Sequence, residues 1–213
     1  MSPKSLRLIF VRHPETEWED VKDPESNKAG QRLLGSTDVS LSAKGRMHAE
    51  HLSQLLQGEG ISYIESSPLE RARVTAQAIS SKINILPVFR EELREINFGD
   101  CEGLTFEEVR VKFPNVHRDY LMQGSEVSFP GGESFSGFRT RVHAWLGKLC
   151  TSHDDQTVLV VTHGGVIRVA LCALLGWPPE TFWNLRQDYG SINVIGLYGD
   201  RRVIERINSR TDM

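Results

Sequence analysis

Two histidines stand at positions of the sequence where a catalytic side chain is expected. His13 comes just after the apolar run 6–11, and His163 comes just after the run 157–162. Continuous runs of β-branched and large apolar residues at this length are typical of buried parallel strands. Because ligands of open α/β sheets bind beyond the carboxyl ends of such strands, we expect both imidazoles to lie in one pocket.

The Arg12-His13 pair combines a permanent cation with a potential nucleophile. A guanidinium offers a planar fork of donors that matches phosphate or carboxylate oxygens. A neutral imidazole can attack through one ring nitrogen when the other nitrogen is held as a donor. We predict no metal site here, since the guanidinium repels cations and no further His, Cys or carboxylate stands at ligand spacing.

His163 is followed by Gly164 and Gly165, which let a backbone approach a ligand closely, although a plain tight turn is the alternative interpretation. A helix predicted from about residue 166 would direct its first N–H groups at an anion. Arg71 lies in the first turn of another predicted helix, where a bound anion would offset its repulsion by the helix dipole. The two arginines and two histidines predict an anion pocket suited to phosphoryl transfer without a metal.

An acid is also needed, and Glu95 is the candidate because it follows the third predicted strand. Its spacing alone favours a solvated loop carboxylate. Five other histidines are interpreted as packing or surface residues: His48, His51, His117, His143 and His153. Arg12 and Arg71, together with His163 if it is protonated, are expected to bias His13 towards its neutral form.

The elements that would position these residues alternate between strand and helix patterns. Strands are predicted near 6–11, 61–64, 85–88, 157–162, 192–197 and 202–207, and helices near 42–57, from 67, and near 105–113, 133–150 and 166–175. Such alternation predicts an α/β fold with three layers, α/β/α, around a mostly parallel central sheet. We interpret residues 1–213 as one domain in which about 104–130 are inserted as a small lid.

Two predicted helix starts carry capping signals. One has Ser67 at the N-cap, Pro68 at N1 and Glu70 at N3, and the other is a capping box of Thr105 and Glu108. Residues 115–132 are predicted to be a loop. The helix near 42–57 is expected to bury four apolar side chains: Met47, Leu52, Leu55 and Leu56.

Composition and charge argue against nucleic-acid-binding and membrane proteins. The net charge of -3 among 213 residues gives no signal for nucleic acid or an anionic membrane. No run approaches the roughly 18–20 apolar residues of a membrane span. The three cysteines are far apart in the sequence, so they are interpreted as reduced thiols in a cytoplasmic protein.

Five motifs occur in a fixed order. They are Arg12-His13-x-Glu15-Thr16-Glu17-Trp18; Gly35 with Thr37-Asp38-Val39-Ser40-Leu41-Ser42; Ser67-Pro68-Leu69-x-Arg71-Ala72-x-x-Thr75-Ala76; Leu93-Arg94-Glu95-x-x-Phe98-Gly99-x-x-Glu102-Gly103; and Val161-Thr162-His163-Gly164-Gly165. Together, over about residues 6–200, they resemble the histidine phosphatase superfamily with its phosphoglycerate-mutase-like fold.

The resemblance implies a role for each matching residue. His13 would be the nucleophile that forms a phosphohistidine, and Glu95 would protonate the leaving oxygen and then activate water. The phosphoryl group would be held by Arg12, Arg71 and His163, and we add Gly164 and Thr37 as substrate-binding residues. The expected partner is a small phosphorylated metabolite, with no cofactor, nucleic acid or membrane. The sequence leaves the oligomeric state open, a homodimer included.

Two positions depart from the family pattern. Pro14 replaces the usual glycine after the nucleophile, which removes a backbone N–H that could contact phosphate. Glu19 stands where an asparagine donor is common, and its carboxylate would repel phosphate unless it is turned away. We expect activity with altered substrate contacts.

Within the family, the resemblance favours a phosphatase. Mutases typically continue from the acid as Glu-Arg-His-Tyr-Gly, whereas Glu95 is followed here by Ile96-Asn97-Phe98-Gly99. This stretch and the 130–134 motif are most similar to α-ribazole phosphatases of cobalamin synthesis. The alternatives are a 2,3-bisphosphoglycerate-dependent phosphoglycerate mutase and a phosphate-binding pseudoenzyme. Specificity is expected in the 15–31 loop and the lid, with Arg118, Tyr120 and Met122 as candidate contacts.

Overall fold

The computed structural model describes residues 5–20, 32–122 and 127–211, except for the side chains of residues 19 and 20. Most of the 15–31 loop and the side chain of Glu19 therefore lie outside the described residues. The strands are β1 (Ser5–Arg12), β2 (Tyr63–Ser66), β3 (Val88–Phe89), β4 (Gln156–Thr162), β5 (Ile192–Tyr198) and β6 (Arg201–Ser209). The α-helices are α1 (Ala43–Leu56), α2 (Glu70–Ile83), α3 (Phe106–Lys112), α4 (Pro114–Leu121), α5 (Phe135–Ser152) and α6 (Gly164–Leu175).

The strands form one sheet in the order β3-β2-β4-β1-β5-β6. β3, β2, β4 and β1 run parallel to one another, and β5 runs antiparallel to both β1 and β6. The predicted mostly parallel sheet is confirmed. The carboxyl ends of β1, β2 and β4 therefore meet at one edge, where β5 begins.

The sheet is covered on both faces because alternate side chains of each strand point to opposite sides. Leu8 and Phe10 of β1 pack into a core with α5 and α6, whereas Ile9 and Val11 pack into a second core with α1 and α2. These two cores make the three α/β/α layers, as predicted.

α1 begins where its cap signal places it, because the side chain of Ser42 accepts the N–H of Gly45. Leu52 and Leu56 are buried, but Met47 is 64% and Leu55 is 46% exposed. The prediction that these two are buried is wrong, since the helical period turns them away from the sheet.

α2 begins at Glu70, so the prediction of Ser67 as its N-cap is wrong. The Ser67 hydroxyl is bonded instead to Nε2 of His163 at 2.8 Å and accepts the N–H of Leu69. A tertiary contact thus replaces the local cap. β2 and β3 lie two to three residues later than predicted, and α6 begins at Gly164, before the predicted start.

The segment 104–130 carries two short helices in its described part. The predicted capping box is present at α3, with both the Thr105 and the Glu108 side chains bonded to backbone. The loop prediction for 115–132 is wrong over α4, which begins with Pro114 at its first position. No helix among the described residues is long and apolar enough to cross a membrane.

Candidate active site

His13 is the first residue after β1, at the edge where the parallel strands end. Its backbone N–H donates to the carbonyl of Thr162 at 3.0 Å, which continues the ladder to β4. The side chain is 2% exposed, and Nδ1 lies 2.8 Å from the carbonyl oxygen of Pro14. Because a carbonyl only accepts, Nδ1 carries the hydrogen and Nε2 carries the free lone pair. The carbonyl of Pro14 therefore orients the imidazole, although Pro14 lacks an N–H.

His163 lies beside His13, with ring centroids 5.1 Å apart in an edge-to-face arrangement. The Nε of Arg71 donates to Nδ1 of His163 at 3.3 Å. Guanidinium is always a donor, so Nδ1 accepts and Nε2 carries the hydrogen that reaches the Ser67 hydroxyl. The two imidazoles thus hold opposite tautomers.

Both imidazoles are neutral at pH 7. Burial, followed by the charges of Arg71 and Arg12, lowers the pKa of His13 well below the ordinary value of 6.5. Burial and Arg71 likewise lower the pKa of His163 well below that value. The expected bias of His13 is present, with burial as its largest cause and the arginines as the second. A charged His163 does not contribute, because its own pKa is lowered.

Arg12 ends β1 and enters the site from the same strand. Its guanidinium lies over the ring of Tyr189 at 3.8 Å, and Nη1 donates to the carbonyl of Gln187 at 2.7 Å. Its Nε is buried and has no hydrogen-bond partner among the described residues. A buried donor without a partner is costly, and an anion at the site would satisfy it.

Arg71 is fully buried in the first turn of α2. Beyond its bond to His163, it donates to the carbonyls of Thr37, at 2.8 Å, and Gly35. Burial lowers its pKa to about 10, with Glu95 opposing the shift, so the group stays charged at pH 7. Arg71 therefore connects the 35–37 turn to the second imidazole.

A carboxylate that the sequence analysis gave no role holds that turn. Glu102 accepts backbone N–H groups from Gly35 at 3.0 Å, from Ser36 at 2.8 Å and from Phe98 at 2.9 Å. These bonds fix the turn whose carbonyls receive Arg71. The position of Glu102 in the fourth motif could have indicated this role.

Glu95 lies against the start of α6. Its Oε2 accepts the N–H of Gly165 at 2.9 Å, and its Oε1 accepts the N–H of Ile96 at 3.1 Å. A Cβ at position 165 would overlap the Glu95 carboxylate, so a larger residue there would displace that carboxylate. Arg141 supports the same loop by donating to the carbonyls of Glu92 and Arg94. The carboxylate is thereby brought to the helix start that follows His163.

These groups adjoin a cavity of about 700 Å³. It is lined by Arg12, His13, Trp18, Arg32, Leu33, Leu34, Glu95, Phe98, Phe106, Tyr120, Gly164, Gly165, Arg168, Arg186, Gln187, Asp188 and Tyr189. Three of the predicted site residues do not line it: Arg71, His163 and Thr37. Arg71 and His163 are fully buried, and the described contacts of Thr37 are made by its backbone.

Several of the lining residues were not predicted from the sequence. Arg168 could have been identified, because it stands four residues after Gly164 on a predicted helix. The sequence gives no such indication for Tyr189. Tyr120 of α4 lines the cavity, whereas Arg118 and Met122 are exposed and are not among the lining residues. Among the described residues, no group of three or more His, Cys, Asp or Glu side chains could hold a metal ion.

Comparison with known proteins places this arrangement in a family. The sequence profile of the histidine phosphatase superfamily (branch 1) matches residues 8–210. Phosphoserine phosphatase 1 of Hydrogenobacter thermophilus is 36% identical over 203 residues, which are 95% of this chain and 92% of that protein.

Two solved structures share the fold. The α-ribazole phosphatase from Shigella flexneri has a TM-score of 0.83 at 26% identity, over 95% of this chain and 96% of that chain. A phosphoserine phosphatase mutant from Entamoeba histolytica in complex with phosphoserine has a TM-score of 0.79 at 28% identity, over 96% and 97% of the two chains. With its profile match over most of its length, this chain belongs to branch 1 of the histidine phosphatase superfamily.

Proposed function

We propose that this protein is a phosphomonoesterase that hydrolyses a small phosphorylated metabolite through a phosphohistidine on His13. The observation that carries the proposal is the bond from Nδ1 of His13 to the Pro14 carbonyl, beside a second buried imidazole 5.1 Å away. It leaves a neutral Nε2 lone pair at the strand-end edge, where Arg12 and Arg71 supply positive charge. An imidazole held in this way is a competent nucleophile.

The reaction has two steps. In the first, Nε2 of His13 attacks phosphorus, the bond from phosphorus to the ester oxygen breaks, and Glu95 gives that oxygen a proton. In the second, water attacks the phosphohistidine, Glu95 takes a proton from the water, and the phosphorus–nitrogen bond breaks to release inorganic phosphate. Each group returns to its starting protonation state.

Charge on the phosphoryl oxygens would be balanced by side chains of this chain. Arg12 offers its unpartnered Nε, Arg71 is a buried cation, and His163, Gly164 and Thr37 complete the proposed phosphoryl-binding set. Preorganised donors of this kind stabilise the charge of the transition state. We therefore propose a metal-independent reaction without a cofactor, in which EDTA leaves turnover unchanged.

The family contains phosphatases and mutases, and several observations favour hydrolysis. The relatives compared above carry phosphatase names, and their names bring two candidate substrates, phosphoserine and α-ribazole 5'-phosphate. The retained Pro14 contact argues against a decayed pseudoenzyme. We further propose one domain over residues 1–213, in which the 104–130 segment covers the cavity through Phe106 and Tyr120. Cytoplasmic location and homodimer formation stay predictions.

The test is phosphate release from p-nitrophenyl phosphate, phosphoserine, α-ribazole 5'-phosphate and 3-phosphoglycerate by wild type, His13→Ala and the matched control His51→Ala. We expect His13→Ala to lose about a thousand-fold or more in kcat/KM, because the covalent route is gone. His51→Ala keeps wild-type turnover, and rapid quench of the wild type traps acid-labile phosphoprotein. Retained turnover in His13→Ala, or an isomerised product that requires a bisphosphate primer, contradicts the proposal.

A further inference from the structure

Arg168 lies on α6 one helical turn beyond the start of the helix, and it lines the cavity beside Glu95. Residues four apart on a helix share one face, so Arg168 is on the same side of α6 as Gly164. Its Nε donates to the carbonyl of Leu185 at 2.6 Å, and its guanidinium carbon lies 5.5 Å from the centre of the Phe182 ring. These contacts fix the side chain near the guanidinium.

Arg168 forms no ion pair with a described acidic residue. No described carboxylate lies within 4 Å of it, and its two terminal nitrogens donate no hydrogen bond to a described residue. The other two cavity arginines that hold no predicted role differ: Arg186 is paired with Asp188 at 2.7 Å, and Arg32 is paired with Glu108 at 4.0 Å. Arg168 thus offers a fork of donors.

Holding this cation half-buried costs free energy. Burial and the nearby charge of Arg12 lower the pKa of Arg168, against the opposing effects of Glu95 and Tyr120. An unpaired charge in such a place is stabilised when an anion with matching geometry binds it. A carboxylate matches the two parallel N–H donors of a guanidinium.

The position of Glu95 tells which part of a substrate would meet Arg168. Glu95 is bonded to Gly165 at the start of α6, and Arg168 follows three residues later on that helix. In the proposed reaction Glu95 faces the leaving oxygen, so Arg168 is one turn farther along, on the side of the leaving group. Atoms a few bonds beyond the ester oxygen can reach it.

We propose that Arg168 binds a carboxylate on the leaving group, so that the substrate class is phosphorylated amino or hydroxy acids. This rests on the proposed function, which places the phosphoryl group at His13. The arrangement favours a substrate such as phosphoserine over one with an uncharged leaving group such as α-ribazole 5'-phosphate.

The experiment uses two substrates that differ only in the carboxylate, O-phosphoserine and O-phosphoethanolamine. Their kcat and KM are measured with wild type, Arg168→Gln, Arg168→Lys and the control Arg201→Gln, which removes an exposed cation of β6. We expect wild type to prefer phosphoserine by about 10- to 100-fold in kcat/KM, the worth of a charged hydrogen-bonded pair. Arg168→Gln brings that ratio towards one, chiefly through KM for phosphoserine, and Arg168→Lys keeps part of it. Arg201→Gln keeps the wild-type ratio.

Wild type without a preference, or an Arg168→Gln variant with the wild-type ratio, overturns the proposal. If wild type turns over no phosphomonoester, the proposed function fails by itself, and calorimetric titration of the same two compounds into wild type and Arg168→Gln replaces kinetics. Tighter binding of phosphoserine that is lost in Arg168→Gln then supports the carboxylate site. Equal binding, or no binding, rejects it.

Discussion

The Nε of Arg71 donates to Nδ1 of His163 across 3.3 Å, and this bond decides where the second imidazole carries its proton. His13 has the opposite arrangement, because its Nδ1 faces the Pro14 carbonyl. One ring therefore offers a bare Nε2 and the other an Nε2–H, although the rings are neighbours. The proposed nucleophile and its neighbouring donor are distinguished by their backbone and arginine contacts.

This difference can be observed directly. We expect long-range ¹H–¹⁵N spectra of histidine-labelled protein at pH 7 to show His13 protonated on Nδ1 and His163 protonated on Nε2, since a carbonyl accepts and a guanidinium donates. Spectra of His13→Gln and His163→Gln assign the signals. Two rings in the same tautomer, or an imidazolium at either position, would contradict the assignment.

The pH dependence of kcat/KM follows from burial of His13, the proposed nucleophile. Because the pKa of His13 is well below 6.5, its neutral form persists as pH falls, and protonation removes it only below that folded pKa. We expect no loss of kcat/KM attributable to His13 between pH 7.5 and about 6.5, the ordinary imidazole pKa. The measurement is a pH profile corrected for the second ionisation of the substrate. An acid limb at or above the ordinary imidazole value would be incompatible with the buried neutral ring.

Glu102→Gln should destabilise the 35–37 turn that receives Arg71. The carboxylate accepts N–H groups from Gly35, Ser36 and Phe98, and an amide replaces one acceptor oxygen with a donor. We expect a loss of about 1–3 kcal/mol in the free energy of unfolding by urea. A fall of about tenfold in kcat/KM should accompany it, because the turn that receives Arg71 loosens.

The matched control is Glu91→Gln, whose side chain is 75% exposed and carries only a surface ion pair with Arg94. We expect it to change stability by less than about 1 kcal/mol. Equal effects of the two substitutions on unfolding would show that Glu102 does not hold the turn.

Gly165→Ala tests the placement of the proposed acid. Its methyl group would overlap the Glu95 carboxylate and push it from its position at the start of α6. We expect kcat to fall about 100-fold, since a displacement near 1 Å in a catalytic group has that effect. Steady-state kinetics with p-nitrophenyl phosphate measure it.

Gly147→Ala is the control for the same chemical change. Gly147 lies inside α5, is exposed, and has no atom within 4 Å of an added Cβ. The variant should gain about 0.5–1 kcal/mol of stability with unchanged turnover, because alanine favours helix. If Gly165→Ala also kept wild-type kcat, Glu95 would not be the acid.

The sheet and both imidazoles could be predicted from sequence because β1 and β4 are continuous apolar runs with a polar residue at the end. Local signals failed where tertiary contacts compete with them. Ser67 has the sequence of a helix cap, yet its hydroxyl binds His163 across 96 residues of sequence. The α4 helix was hidden by polar composition, although Pro114 at its first position was a usable signal.

Tyr189 could not be predicted at all. It reaches Arg12 because β5 is antiparallel to β1, which brings the residues before β5 to the edge where β1 ends. No property of residues 187–191 taken alone indicates that placement, and strand direction depends on the pairing of the whole sheet.

The antiparallel direction of β5 also affects when the proposed anion site can form during folding. Arg12 is held by the carbonyl of Gln187, and 175 positions separate the two residues. A chain emerging from the ribosome exposes its first strand long before that carbonyl exists, and contacts of such separation form slowly. We therefore expect the proposed anion site to form late in the nascent chain, when β5 pairs with β1.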